Sequence, residues 1–165
     1  MKKNQKLGIK AGTPYFQLKD LFPGQEIAVF SSNYELYLDM TDRVMSLIRQ
    51  EVPEFYRYSI DEGFCMLKGM EHLDLKAWGE QLHKTIKHNT GMPVSIGIGP
   101  TKTLAKMASH YAKHYAGYKH CCLIDTDEKR EKALKLYPID EVWVKASIPL
   151  RCKNKDLEKN RGSFW

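Results

Sequence analysis

The sequence predicts an α+β domain, a mixed β-sheet with helices packed on it, and three observations carry that prediction. Three long segments repeat apolar residues at helical spacing, each with a capping residue at or near its start. Short β-branched and aromatic runs separate them, at 55–60, 63–69, 93–99 and 120–124. Two of those runs meet at an acidic turn, Asp61-Glu62. At 165 residues, 42% of them apolar, the chain can fill one core and is short for two.

The elements follow in order. IAVFS (27–31) is apolar and β-capable, so a strand is expected there. Ser32 and Glu35 have capping-box spacing and open a helix whose stripe is Leu36, Tyr37, Met40, Val44, Leu47 and Ile48, closed by Pro53. FYRYSI and GFCMLKG then read as two strands. A second helix runs from about Asp74 to Asn89 with Leu75, Trp78, Leu82 and Ile86 inward, and Gly91 stops it. PVSIGIG (93–99) is a strand with two glycines where backbone must bend or be closely approached. Thr101 caps a third helix, to about Ala116, with Leu104, Met107, Ala108, Tyr111 and Tyr115 inward. HCCLI is a strand, Asp127–Leu136 a short charged helix, and Tyr137-Pro138 its end. From 145 to 165 no period of either kind persists, which reads as a poorly ordered tail.

Composition narrows the function. No run of eighteen uncharged apolar residues exists, so no membrane span is expected, and the basic start MKKNQKLGIKAG lacks the apolar core of a signal peptide. Cys65, Cys121, Cys122 and Cys152 show neither C-x-x-C nor zinc-ligand spacing, so reduced thiols in a cytoplasm are expected. The net charge of +6 invites nucleic acid, but the excess sits at the ends, and residues 11–144 hold 16 basic against 18 acidic residues. A nucleic-acid reading must therefore rest on local stripes.

Two features could carry chemistry. Adjacent carboxylates at a turn, Asp61 and Glu62, can aim at one point above a sheet edge, and carboxylate oxygens are the ligands Mg²⁺ prefers. The flanking Tyr58, Ile60 and Phe64 argue for partial burial, against the plainer reading of a solvated acidic turn. On the third helix Lys102, Lys106, His110 and Lys113 recur on one face opposite the apolar stripe, and residues 101–116 contain no acid. Such a stripe is either a solvated face or a phosphate track. His83 and His88 fall on a polar helix face and read as surface, whereas Tyr37, Trp78 and Tyr111 read as core.

Taken together, GIKAGTPYFQLKDLFPG (8–24), FSSNYELYLDMTDRVMSLI (30–48), YSIDEGFCML (58–67), PVSIGIGPTKTLAKMASHYAK (93–113) and DTDEKREKALKLYPIDEVW (125–143) resemble the Y-family translesion DNA polymerases, most closely the UmuC branch. The resemblance implies a fingers remnant over 1–31, a palm over 32–144 and a non-family tail over 145–165. It implies that Asp61 and Glu62 are catalytic and metal-binding carboxylates for Mg²⁺, and that Lys113 contacts the incoming triphosphate. Lys102 and Lys106 become candidates for DNA phosphate. The implied parent function is error-prone translesion synthesis in DNA repair and the SOS response, by two-metal nucleotidyl transfer. Its partners would be damaged primer–template DNA, deoxynucleoside triphosphates, a UmuD-like subunit and RecA. The family's opening Asp-x-Asn-x-Phe/Tyr motif, its thumb and its little finger have no match in these residues, so a fragment truncated at both ends is expected. Such a fragment would bind metal weakly and would not extend a primer unaided. The alternative is a non-catalytic DNA- or partner-binding module, or a gene remnant.

Overall fold

The computed structural model describes residues 9, 12–24, 27–138 and 142. The chain divides into two compact units, Met1–Tyr34 and Glu35–Trp165. The expected tail at 145–165, and Cys152 within it, lie outside the described residues.

In the first unit a short helix, α1 (Tyr15–Leu21), begins after Pro14, whose fixed φ of −61° suits a helix start. It buries no residue. The strand expected at 27–31 does not form. Among the described residues no backbone pairs with this stretch, and Val29 and Phe30 are 63% and 87% exposed. A β-capable run becomes a strand only when another edge accepts its hydrogen bonds.

All but the first residue of the long helix α2 (Tyr34–Glu51) belongs to the second unit, and the helix presents Val44 and Met45 to the interior. In its first turns Leu36 and Tyr37 are half exposed, so Tyr37 is not the core residue its spacing suggested. Strands β1 (Glu54–Arg57) and β2 (Gly63–Met66) form an antiparallel hairpin in which Phe55 faces Cys65 and Arg57 faces Gly63. Helix α3 (Leu75–Thr90) is capped by Asp74, whose carboxylate accepts from the amides of Lys76 and Ala77 at 3.0 Å each. It ends at Gly91, in the left-handed conformation a helix stop favours.

Strand β3 (Ile96–Ile98) then pairs in parallel with β4 (Cys121–Leu123). A parallel pair needs a crossover, and helix α4 (Lys102–His114) with the 3₁₀ turn Ala116–Tyr118 supplies it. β3 is shorter than the run 93–99 because side chains take its leading carbonyls. Val94 O is bonded by His83 at 2.8 Å and Ser95 O by the Ser109 hydroxyl at 3.3 Å. Helix α5 (Asp127–Leu136) is capped by Thr126 and carries Asp127 and Glu128 in its first turn, where the helix dipole favours them. Both antiparallel and parallel pairing thus occur, as a mixed sheet requires, but among the described residues they form two separate two-stranded pieces.

Two apolar clusters hold these elements. Val44, Leu82 and Ile86 join α2 to α3, with Trp78, Val94 and Ile96 packed on them. Leu104, Met107, Ala108, Tyr111 and Ala112 of α4 meet Cys122, Ile124 and Ala133. The Tyr111 hydroxyl donates to Ala133 O at 2.8 Å, fastening α5. Tyr115, expected inward, is 56% exposed, because α4 ends one residue earlier and Tyr115 takes an extended conformation. Cys65, Cys121 and Cys122 are free thiols, and burial pushes those of Cys65 and Cys121 up to about 11, so both are neutral and inert at physiological pH.

His83 also departs from its expected surface place. It is buried, with Nδ1 on Val94 O and its ring stacked on His120 at 4.2 Å. The α3 pattern hid it because Val94 and His120, distant in sequence, cover that flank. Lys119 and His120 both adopt positive φ, 51° and 64°, unusual for residues with side chains. The Lys76 ammonium holds this corner by donating to Tyr118 O and Cys121 O. Desolvation, then His83 and Lys87, holds the His120 imidazole below its ordinary value. The unfolded chain therefore takes up this proton first. The associated stability is complete above the unfolded value of about 6.5 and is lost as pH falls toward the folded one. Urea midpoints should drop between pH 7.5 and 5.5, and by less in His120→Asn, which tolerates the same backbone. An equal drop in the two chains would remove His120 from the pH dependence.

Candidate active site

The backbone of the hairpin turn fixes where the two carboxylates start. The amides of Tyr58 and Ser59 both donate to Glu62 O, at 2.9 and 3.1 Å, closing a tight corner at 59–61. Arg57 braces the corner from below: Nη1 reaches Asp42 Oδ1 on α2 at 2.7 Å, and Nε reaches Ser59 O at 3.3 Å. No local pattern in the sequence singles out this arginine. An arginine ending a strand beside an acidic turn was the only available signal, and its partner Asp42 is fifteen residues away.

Asp61 is exposed, and its Oδ1 accepts from the Ser59 hydroxyl at 2.9 Å. Glu62 is half buried, and its Oε2 pairs with Lys106 Nζ of α4 at 3.1 Å. The two features read separately from sequence, the acidic turn and the basic helix, therefore meet through this pair. Aromatic rings floor the contact. Lys106 lies 5.1 Å from the Tyr58 ring centre and Lys102 lies 5.3 Å from that of Phe64. Tyr58 and Phe64 in turn meet edge to face at 5.6 Å. The partial burial expected around the carboxylates holds for Ile60 and Phe64, while Tyr58 stays half exposed.

Not all of the basic stripe reaches the turn. His110 packs against Tyr137 at 4.9 Å and His114 at 4.2 Å, so it belongs to an aromatic cluster rather than to an open basic face. Lys113 is exposed in the last turn of α4. It stands two turns beyond Lys106, about 10 Å along the axis.

α4 can lie close enough to serve this site because of Gly97. A Cβ there would sit 2.1 Å from Ala105 O and 2.2 Å from Ser109 N, so only glycine lets the helix backbone touch β3. Thr101 then starts the helix by accepting from Leu104 N at 3.2 Å.

The donor set suits a hard divalent cation. Asp61 and Glu62 offer carboxylate oxygens on one turn, and among the described residues no group of three or more His, Cys, Asp or Glu side chains could enclose a metal ion. Two carboxylates, with water and phosphate oxygens for the rest, is a usual arrangement for Mg²⁺.

Residues 2–110 match the impB/mucB/samB (IMS) family. The chain belongs to that family. Over 141 residues it is 40% identical to Protein UmuC of Salmonella typhimurium, covering 84% of this chain and 33% of that protein. To Protein MucB of Escherichia coli it is 35% identical over 140 residues, covering 84% of this chain and 33% of that protein. The chain thus spans about a third of the length of these relatives. Among solved structures it is similar to a DinB family error-prone DNA polymerase from Sulfolobus solfataricus. The TM-score is 0.69 at 21% identity, over 88% of this chain and 42% of that one. An insertion ternary complex of Dbh DNA polymerase matches at a TM-score of 0.66 over 85% of this chain and 40% of that one. These structural likenesses show a shared fold.

Among the described residues no helix is long and apolar enough to cross a membrane.

Proposed function

We propose that this chain forms the fingers end and palm of a UmuC-like, error-prone translesion DNA polymerase, with 1–31 fingers, 32–144 palm and 145–165 outside both. The observation that carries the proposal is the Asp61-Glu62 turn, braced by Arg57 and facing the lysines of α4. Asp61 and Glu62 are the residues that would hold divalent cations, Mg²⁺ by preference. A bound cation of this kind supplies charge neutralisation at a transferring phosphoryl group. Lys113 contacts the triphosphate of a deoxynucleotide, and Lys102 and Lys106 lie toward DNA phosphates. The substrate is damaged primer–template DNA, in a cytoplasmic repair and SOS setting, with a UmuD-like subunit and RecA as partners.

Metal binding is the direct test. Mn²⁺ titrated into the chain and followed by electron paramagnetic resonance should bind weakly, because two carboxylates leave most of the coordination shell to water. Asp61→Asn should weaken it by about 10-fold or more, at least as much as losing an outer-shell partner does. Tight binding indifferent to Asp61→Asn would place the metal elsewhere.

DNA binding tests the lysines separately. If Lys102 meets a duplex phosphate, Lys102→Ala should lower the slope of log affinity against log salt by about 0.9. An unchanged slope would leave Lys102 a solvated residue.

A further inference from the structure

We infer that Lys106 is a shared cation, held by Glu62 when no divalent ion is bound and transferred to a phosphate when one is. The inference rests on Asp61 and Glu62 being metal ligands, as proposed above. Its basis is the position of one ammonium. Lys106 Nζ sits 3.1 Å from Glu62 Oε2 while its side chain remains 24% exposed and Glu62 44% exposed. The pair is open enough to exchange partners, and an ion pair this exposed contributes little by itself. Lys106 holds one of the two oxygens through which Glu62 could ligate a cation.

Charge accounting gives the rest. A dication held by the Glu62 carboxylate repels the Lys106 ammonium that sits 3.1 Å from Oε2, so Lys106 and the metal compete for that carboxylate. Once Glu62 is a metal ligand, Lys106 keeps its place over the Tyr58 ring, with Lys102 one turn away over Phe64. Two ammonium groups on adjacent turns, with aromatic faces beneath and no carboxylate on α4 itself, favour an anion arriving beside the cation. Lys106 thereby links metal occupancy to phosphate binding, and by linkage each affinity depends on the other.

Two measurements test the transfer. In the first, Mn²⁺ is titrated alone. Lys106→Met should bind it about 2–5-fold more tightly than wild type, the range for releasing an exposed ion pair. Lys106→Arg, which keeps the cation, should return to the wild-type value. In the second, a fluorescent deoxynucleoside triphosphate is titrated in EDTA. Glu62→Gln should tighten its binding by freeing Lys106, and the gain should be at least about 2-fold smaller when Lys106→Met is also present. Wild-type Mn²⁺ binding that Lys106→Met leaves unchanged or weakens overturns the transfer alone, as do equal nucleotide gains in the two backgrounds. If neither wild type nor any variant binds Mn²⁺, the ligand assignment of Asp61 and Glu62 fails and the transfer fails with it.

Discussion

Gly97→Ala should leave the chain without a stable second unit. The added methyl would lie 2.1 Å from Ala105 O, 2.2 Å from Ser109 N and 2.8 Å from Ser109 Cα. All three are backbone atoms of α4, so no side-chain rotation relieves the clash. The helix must lift from β3, and with it goes the packing of Leu104, Met107 and Ala108 against Cys122 and Ile124. A cost above about 4 kcal/mol is expected, within the range that only gross core disruption reaches, against a total stability of about 5–15 kcal/mol. Urea unfolding followed by circular dichroism measures it. Gly117→Ala is the control, since nothing lies within 4 Å of a Cβ there, and it should shift stability by under about 0.5 kcal/mol. If Gly97→Ala were as stable as Gly117→Ala, α4 would not be in backbone contact with β3. The closeness that lets Lys106 reach Glu62 would then need another cause.

Ile86→Ala should be the next most damaging change. Ile86 is fully buried in α3 and joins Val44 of α2 and Leu82 in one cluster. Removing three carbons loses their transfer energy and leaves a cavity that a helix-to-helix contact closes only in part, for about 2–5 kcal/mol. The consequence extends to the candidate site, because α2 also carries Asp42, the partner of Arg57 beneath the acidic turn. Mn²⁺ affinity in Ile86→Ala, measured below its unfolding midpoint in urea, should therefore fall along with stability. A loss of stability under about 1 kcal/mol would mean that the cluster collapses around the missing side chain.

Much of this arrangement was legible in the residues. The helix starts at Asp74, Thr101 and near Ser32, the stop at Gly91 and the turn at Asp61-Glu62 each rest on chemistry within four or five positions of chain. So did the value of the two glycines in PVSIGIG, because a glycine in a strand marks close approach even before the approaching partner is known. The acidic pair and the lysine stripe were recognisable as separate motifs for the same reason.

Tertiary structure decided what depended on a distant partner. The run at 27–31 had strand chemistry and found no edge to pair with among the described residues. His83 lay on the polar side of its helix and was buried by Val94 and His120, eleven and thirty-seven positions away. Tyr37 had core spacing but stands where α2 is uncovered, and His110 left the basic stripe for Tyr137. Above all, the meeting of Glu62 with Lys106 spans 44 residues. Local periodicity determines which face of an element is apolar or charged, but only the packing of α4 across β3 determines which charge that face meets.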